Sequence, residues 1–159
     1  FVPLKYYDLR PADLHLPNLS SAHADITNLP LKSGSVKSLS CMHVIEHIGL
    51  GRYGDPLDPE GDIKASGELS RVLANGGQLL IAVPVTGRPR IEFNAHRVYS
   101  YDRVIELFPG LKLKSFALIP DHAGQTGLIE DARRDLVNQQ RYACGCFWFV
   151  KEACVCDKD

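Results

Sequence analysis

Short apolar segments recur along the chain and are separated by polar stretches rich in turn-forming residues. The run at residues 79–83, Leu-Leu-Ile-Ala-Val, has no polar alternation, which is typical of a strand buried on both faces of a parallel sheet. The complete set of predicted strands comprises residues 2–8, 22–26, 36–43, 79–83, 111–119 and 146–150.

Two segments show helical periodicity instead. Asp58 and Pro59 suit the start of a helix, and Gly76 and Gly77 predict its end. The apolar stripe of this helix is formed by Ala65, Leu69, Val72 and Leu73. Ser100 predicts the N-cap of a second helix, and residues 120–141 predict a loop with a short helix. Strands alternating with helices predict an α/β domain, in which ligands bind beyond the carboxyl ends of the strands.

Composition narrows the function classes. The chain has 159 residues, enough for one domain, with 18 basic and 19 acidic side chains and a formal charge of −1. This balance excludes the strongly basic surface typical of nonspecific nucleic-acid binding, so we expect no nucleic-acid partner. No apolar run approaches the roughly 20 residues of a membrane span, and no signal peptide is recognisable.

Five cysteines are an odd number, so they cannot all pair in disulfides. This favours a reduced, cytoplasmic protein. Four of them form two Cys-x-Cys pairs, Cys144 with Cys146 and Cys154 with Cys156. Four thiolates could bind zinc, although the usual spacing is Cys-x-x-Cys. Buried free thiols are the alternative interpretation.

Acidic residues follow the first two predicted strands. Asp8 could accept hydrogen bonds from a ribose diol. Asp25 could accept one from an adenine amino group, with Ile26 packed on the ring. Both acids could instead only close turns, as Asp commonly does.

The third and fourth predicted strands are followed by histidines and arginines. His43, Glu46 and His47 could bind a metal or move a proton. Their spacing also matches an inverted zinc-protease motif, and the alternative is that Glu46 and His47 fix the loop through backbone hydrogen bonds. Beyond the fourth strand, an anionic substrate or only solvent could contact Arg88, Arg90 and Arg97, with His96 beside the last.

These elements occur in an order that resembles class I S-adenosylmethionine-dependent methyltransferases. The matching pieces are Asp8, Asp25-Ile26 with Leu29-Pro30-Leu31, the Val-Ile-Glu-His-Ile run at 44–48, and residues 68–77 before a strand that ends at Pro84. Residues 43–58, 93–97 and 144–149 are similar to an uncharacterised methyltransferase-like family, domain-of-unknown-function family 268. The resemblance implies a three-layer Rossmann-like fold whose sheet is mostly parallel, with an antiparallel last strand.

The same resemblance implies S-adenosylmethionine (SAM) as cofactor and methyl transfer to a polar small molecule or glycan precursor. The implied cofactor-binding residues are Asp8, Asp25, Ile26, Ser40, Cys41 and His43. The implied catalytic residues are His43, Glu46, His47 and His96, which by analogy could also hold a divalent metal. The loop at residues 49–58 is expected to act as a lid. The expected substrate contacts are Arg52, Tyr53, Arg88, Arg90 and Arg97.

One part of the family pattern has no counterpart here. The family begins with a strand and a glycine-rich loop, whereas no glycine precedes Gly34 in this sequence. We therefore expect a single methyltransferase-like domain over residues 1–159 without that strand, which would lie beside residues 36–43. Two other functions remain open: a non-catalytic binding module, and a metal-dependent hydrolase using His43, Glu46 and His47.

Overall fold

The computed structural model describes residues 2–14, 16–122, 124 and 127–152. Strands and helices alternate along most of the chain. In chain order they are β1 (Leu4–Asp8), β2 (Leu19–His23), β3 (Val36–Met42), α1 (Gly61–Val72), β4 (Leu73–Val85), β5 (Arg90–Glu92), β6 (His96–Val98), α2 (Tyr101–Glu106), β7 (Lys112–Ile119), α3 (Arg134–Asn138) and β8 (Ala143–Val150). A single 3-10 turn, Ile45–His47, follows β3.

The main sheet has the strand order β3-β4-β8-β7. β3 and β4 are parallel, whereas β8 is antiparallel to both β4 and β7. β3, β4 and β7 therefore share one direction, and the antiparallel last strand is confirmed. β1 and β2 form a separate parallel pair, and β5 with β6 forms a hairpin. Within the described residues, β1 and β3 each have one edge that pairs with no other strand.

The two faces of the main sheet differ in burial. On β4, Leu79 and Ile81 are almost fully buried, whereas Leu80 between them is 38% exposed. The buried face packs against apolar side chains of α1, α2 and α3, among them Leu69, Val104 and Val137. The opposite face carries exposed large apolar side chains on four strands: Met42, Leu80, Ile119 and Trp148. In the part of the chain that the structure describes, the helices thus pack on one face.

The first predicted helix forms, but its ends differ from the prediction. Ala65, Leu69 and Val72 are buried as the stripe predicts. The helix begins at Gly61, with Glu60 rather than Asp58 at the N-cap position. A Cβ at residue 61 would lie 2.8 Å from the Ile48 carbonyl oxygen, so this position requires glycine. It ends at Val72, and Leu73 already belongs to β4, so the prediction of Leu73 in the helix is wrong. α2 follows the prediction, since the Ser100 side chain accepts a hydrogen bond from the Arg103 amide.

Two strand predictions also differ. β2 occupies Leu19–His23 rather than residues 22–26, and its pairing with β1 runs from Leu19 to His23. Its sequence, Leu-Ser-Ser-Ala-His, has little intrinsic strand preference, so pairing rather than composition determines where it lies. The β5–β6 hairpin was not predicted at all. No helix in the described part of the chain is long and apolar enough to cross a membrane.

The assignment of the two faces of β4 leads to a matched pair of stability predictions. Leu79→Ala should lower the free energy of unfolding by about 2–5 kcal/mol, because it leaves a cavity in the core. Leu80→Ala, the neighbouring residue on the uncovered face, should lower it by less than about 1 kcal/mol. Urea unfolding followed by circular dichroism measures both values. Equal losses would contradict the assignment.

Candidate functional site

The carboxyl ends of β1 and β2 lie side by side. Asp8 is opposite His23 in the strand register, and the Ala24 amide donates to the Asp8 carbonyl at 3.0 Å. The Asp8 carboxylate accepts hydrogen bonds from the Tyr6 hydroxyl at 2.6 Å and the Arg10 amide at 2.8 Å. The bond from Tyr6, supported by Arg10, lowers the pKa of Asp8. Asp8 is therefore an ionised acceptor at this rim of the fold.

Asp25 and Ile26 follow the end of β2. Asp25 is exposed, and its Oδ1 accepts hydrogen bonds from both the amide and the hydroxyl of Thr27. This is the turn-closing geometry that the alternative interpretation describes, and it leaves Asp25 accessible at the same rim. Ile26 is half-buried and packs against the core.

His43 stands at the end of β3 in an unusual backbone conformation. Its φ is 55°, in the left-handed region that residues other than glycine rarely adopt and that is often found at functional sites. The ring Nδ1 lies 3.0 Å from Oε1 of Glu46, and Nε2 lies 3.5 Å from the Sγ of Cys144. The side chain is 50% exposed, so one end of the ring is anchored while the imidazole stays open to ligands.

Glu46, in the 3-10 turn, is 1% exposed, and its Oε2 has no hydrogen-bond partner. Burial raises the pKa of this carboxyl above its ordinary value, although His47 and His43 partly oppose the shift. An ionised Glu46 can only accept, so it holds the proton of His43 on Nδ1 and leaves the lone pair on Nε2. A buried carboxylate that orients an imidazole is a common way to prepare a general base.

His47 and His96 extend this cluster. The His47 Nδ1 donates to the Ala95 carbonyl at 2.8 Å, and its Nε2 lies 3.9 Å from Glu46. The His96 Nε2 is 3.0 Å from the Tyr142 hydroxyl, and the rings of His47 and His96 meet edge to face at 5.6 Å. Burial, with nearby His47, lowers the pKa of His96. The four predicted catalytic residues therefore come together.

These ring nitrogens already have protein partners, and they do not converge on one point. Within the described residues, no group of three or more His, Cys, Asp or Glu side chains has the arrangement of a metal site. The run His43–His47 forms one 3-10 turn rather than the helix that the inverted protease motif needs. As arranged, these residues do not fit a metal ion. Cys154 and Cys156, half of the proposed zinc set, lie outside the described residues.

Two thiols lie beside His43. Cys144 and Cys146 are alternate residues of β8, so their side chains share its uncovered face. A hydrogen bond from Cys144 lowers the pKa of Cys146 to about 7, against the effect of burial and with the help of His43. The same bond, together with burial, raises the pKa of Cys144. The sequence spacing gave no sign that Cys144 would reach His43, which lies 101 residues away.

A cavity of about 210 Å³ opens beside His43. Its walls are mostly apolar, with a few polar groups, and the lining residues are His43, Pro84, Ile119, Pro120, Asp121, Tyr142, Ala143 and Cys144. Concave sites of this kind, with few but well-placed polar groups, are typical of small-molecule binding. Sequence reasoning missed Tyr142 and Asp121, because only the chain reversal at β7 and β8 brings them to this rim.

The loop at residues 49–58 is organised around one carboxylate. Asp55 accepts hydrogen bonds from the amides of Gly49, Gly51 and Tyr53 at 2.8, 3.3 and 3.2 Å. Burial alone would raise the pKa of Asp55, but these bonds outweigh it and the pKa is lowered. The Tyr53 ring meets the His47 ring edge to face at 5.4 Å. The Arg10 guanidinium lies 5.9 Å from the centre of the same Tyr53 ring, which links the loop to the rim that carries Asp8.

The predicted substrate-binding arginines have different environments. Arg52 and Arg88 are exposed, and Arg52 lies over the Tyr53 ring. Arg90 is paired with Glu92 and donates to the Arg141 carbonyl. Arg97 is 7% exposed.

The partners of Arg97 belong to the protein itself. It donates to the Ile48 carbonyl at 2.6 Å and to the Pro59 carbonyl at 3.3 Å, and its Nε lies 3.6 Å from Asp62. It therefore clamps both ends of the loop at residues 49–58. A buried guanidinium satisfied in this way has a structural role in this conformation.

Two predicted cofactor contacts lie on opposite faces of β3. The Ser40 side chain is exposed, whereas Cys41 points into the core and is 6% exposed. Burial, with Glu46, raises the pKa of Cys41 to about 12, which makes its thiol unreactive. Of these two neighbours, only Ser40 presents its side chain to the surface.

Comparisons with known proteins bear on the fold and the family. A sequence profile of the family described as "Caenorhabditis protein of unknown function, DUF268" matches residues 27–141. The matched segment contains His43, Glu46, His47 and His96 but neither Asp8 nor the cysteine pair. A comparison with curated proteins finds no significant match.

Solved structures share the fold. The [4+2]-cyclase SpnF is 14% identical, with a TM-score of 0.58 over 86% of this chain and 58% of its own. A SAM-dependent methyltransferase from Thermotoga maritima, described as a possible histamine N-methyltransferase, is 15% identical with a TM-score of 0.55 over 82% and 64%. Geranyl diphosphate methyltransferase in complex with SAM is 14% identical, with a TM-score of 0.60 over 84% and 58%. The chain thus spans about three fifths of these proteins and has the Rossmann-like class I methyltransferase fold.

The buried Glu46 predicts a pH-dependent stability. Since burial raises its pKa in the folded chain, the folded state holds the proton more tightly than the unfolded state, whose pKa is near 4.5. This contribution is greatest below pH 4.5 and decreases as the pH rises through the raised pKa. Glu46→Gln removes this proton-linked stabilisation. As the pH rises from 4.5 through the raised pKa, the melting temperature of the variant should therefore increase relative to that of the wild type.

Thermal unfolding at a series of pH values measures the effect, with Glu130→Gln, an exposed glutamate, as the matched control. The control should follow the wild-type pH profile. Identical pH profiles for the wild type and Glu46→Gln would contradict the shifted pKa of Glu46.

Arg97 and Arg88 form a second matched pair. Arg97→Lys should lower the free energy of unfolding by about 1–3 kcal/mol, because a lysine cannot replace the guanidinium fork and leaves buried carbonyls unsatisfied. Arg88→Lys, at an exposed position, should change it by less than about 0.5 kcal/mol. Denaturant unfolding distinguishes the two. A negligible change in the free energy of unfolding of Arg97→Lys would contradict the structural role of Arg97.

Proposed function

Since this chain belongs to the DUF268 family and has the class I methyltransferase fold, we propose that it transfers a methyl group from SAM to an oxygen or nitrogen atom of a polar small molecule or glycan precursor. The observation that carries the proposal is the Glu46–His43 pair at the carboxyl end of β3. It combines a buried, anchoring carboxylate with a half-exposed imidazole beside a cavity. This is the arrangement that removal of a proton from an acceptor requires.

The rim formed by β1 and β2 has groups suited to an adenosyl ligand. The ionised Asp8 retains lone pairs beyond those used by Tyr6 and Arg10, so its carboxylate can accept hydrogen bonds from the ribose hydroxyls. Asp25 would accept from the adenine amino group, and the half-buried Ile26 would pack on the ring. Ser40 and the backbone at Cys41 and His43 would line the methionine end. When bound, SAM supplies an electrophilic methyl group.

His43 would then act as the general base. When Glu46 is ionised it can only accept, so the Nδ1 proton faces Glu46 and Nε2 is the nitrogen that can take a proton from the acceptor. Methyl transfer is a direct displacement, so the protein contributes mainly by aligning the acceptor and removing its proton. Cys144 occupies the position beside Nε2 in this conformation, and an acceptor hydroxyl or amine would have to reach the same nitrogen from the cavity.

The apolar walls and the polar rim of the cavity suggest how an acceptor is held. Pro84, Ile119 and Pro120 would contact its carbon skeleton, and Tyr142 would offer a hydroxyl. The loop at residues 49–58, ordered by Asp55, would cover the site and bring Arg52 and Tyr53 towards it. Exclusion of water strengthens every electrostatic contact inside such a site.

Calorimetric titration of the full chain with S-adenosylhomocysteine tests the proposal. We expect saturable binding, and Asp8→Asn should weaken it by about 10- to 100-fold, because a hydrogen bond to a charged group contributes about 1.5–3 kcal/mol. Asp135→Asn is the matched control, since Asp135 is exposed and its carboxylate pairs with Arg133 at the surface. Absence of binding heat, or equal affinities for the two variants, would contradict an adenosyl site at Asp8.

A further inference from the structure

Methyl transfer gives no role to the two thiols of β8. We propose that Cys144 and Cys146 form a redox-active dithiol that a hydroperoxide oxidises to an intrastrand disulfide, with His43 as the base. This site would take hydrogen peroxide or a small organic hydroperoxide. It does not depend on whether the chain binds SAM.

A continuous line of polar groups connects the buried Glu46 with the two thiols. Glu46 Oε1 lies 3.0 Å from His43 Nδ1, and His43 Nε2 lies 3.5 Å from Cys144 Sγ. Cys144 and Cys146 are alternate residues on the same face of β8. A proton that leaves Cys146 can therefore be balanced by an imidazolium on His43, with the Cys144 thiol between the two charges and Glu46 stabilising the cation. A thiolate held by a nearby cation is the reactive form of cysteine.

Both thiols are accessible to a small oxidant. Both thiols are only partly buried and lie on the uncovered face of the main sheet. The residues opposite Cys146 on the two neighbouring strands, Ala82 and Ala117, have small side chains. Cys144 lines the 210 Å³ cavity, which is larger than a hydroperoxide needs.

The spacing of Cys144 and Cys146 along β8 is compatible with a disulfide between them. Alternate residues of a strand are about 6.6–6.8 Å apart along the chain direction. This is the upper end of the Cα separation that a disulfide spans, about 4.4–6.8 Å. The bond can therefore form with a small shortening of β8 at Gly145, and it would be strained. Strained disulfides have higher reduction potentials and are readily reduced again.

The reaction is a two-step oxidation. The Cys146 thiol first gives its proton to His43, and the thiolate attacks the terminal peroxide oxygen. The O–O bond breaks, the leaving alkoxide or hydroxide takes the proton back from His43 as an alcohol or water, and Cys146 becomes a sulfenic acid. Cys144 then attacks the Cys146 sulfur, its proton passes to Nε2 of His43, and the expelled hydroxide takes that proton as water. In total two thiols and one hydroperoxide give one disulfide, one alcohol or water, and one further water. The hydroperoxide is reduced, and the two sulfurs are oxidised.

Oxidation would also change the surroundings of His43. A sulfur bonded to Cys146 can no longer donate a proton to Nε2, so the imidazole loses its neutral partner on the cavity side. The redox state of the dithiol and the proton-accepting capacity of His43 are thereby coupled through a single contact.

The test uses the full chain carrying Cys154→Ser and Cys156→Ser, so that only Cys41, Cys144 and Cys146 remain. After treatment with hydrogen peroxide, we expect a mass decrease of two hydrogen atoms, reversed by dithiothreitol, and a peptide linking Cys144 to Cys146. Cys41 is the internal control, because it is buried in the core and should stay reduced. A pair that stays reduced, or that reaches sulfinic acids without a disulfide, overturns the proposal.

The role of His43 is tested by His43→Asn, since asparagine tolerates the positive φ at this position. Disulfide formation should slow by about tenfold or more, whereas His23→Asn, at an exposed position on β2, should leave the rate unchanged. Circular dichroism checks that both variants fold. An unchanged rate in His43→Asn overturns the assignment of the base.

In Cys144→Ser the sulfenic acid of Cys146 should accumulate and react with dimedone. Labelling of no cysteine in this variant, after peroxide treatment, contradicts Cys146 as the attacking thiol.

Discussion

The carboxylate of Glu46 lies in the interior beneath the end of β3, and its hydrogen bond to His43 is the interaction on which the site depends. Burying a carboxylate is unfavourable unless partners compensate it, and here Oε2 has none. His43 itself adopts a strained backbone conformation. A fold tolerates two such unfavourable features in direct contact where chemistry requires a fixed geometry. His47 and Cys144 each contact a member of this pair, and His96 packs against His47.

One face of the main sheet forms the hydrophobic core, whereas the other carries candidate functional groups. The core face packs against α1, α2 and α3 and contains the aromatic cluster of Tyr101, Phe116 and Phe147. The other face carries Cys144, Cys146 and exposed apolar side chains. Because β3, β4 and β7 run in one direction, their carboxyl ends meet at a single rim. The antiparallel β8 begins at this same rim, so a residue that follows β3 can approach the start of β8 although the two are far apart in the chain, as His43 approaches Cys144.

Local patterns predicted those elements whose own residues determine them. The Ala65, Leu69 and Val72 stripe and the Ser100 cap led to α1 and α2, and the apolar run at 79–83 led to the centre of β4. Pairing partners that the sequence does not reveal decided the rest, including the start of β2 and the β5–β6 hairpin. At the site, the run from His43 to His47 was recognisable from sequence as a candidate catalytic segment. The burial of Arg97, however, follows from two backbone carbonyls, and the contact of His43 with Cys144 depends on the place of β8 in the sheet.

The central claim is that the carboxyl ends of β1, β2 and β3 form one adenosyl-binding rim. Amide chemical-shift mapping by NMR during addition of S-adenosylhomocysteine tests it most directly. The account predicts saturable shifts at Asp8, Asp25 and His43, with little change at the opposite strand ends, Leu4 and Val36. Shifts confined to those opposite ends, or none at millimolar ligand concentrations, would contradict it.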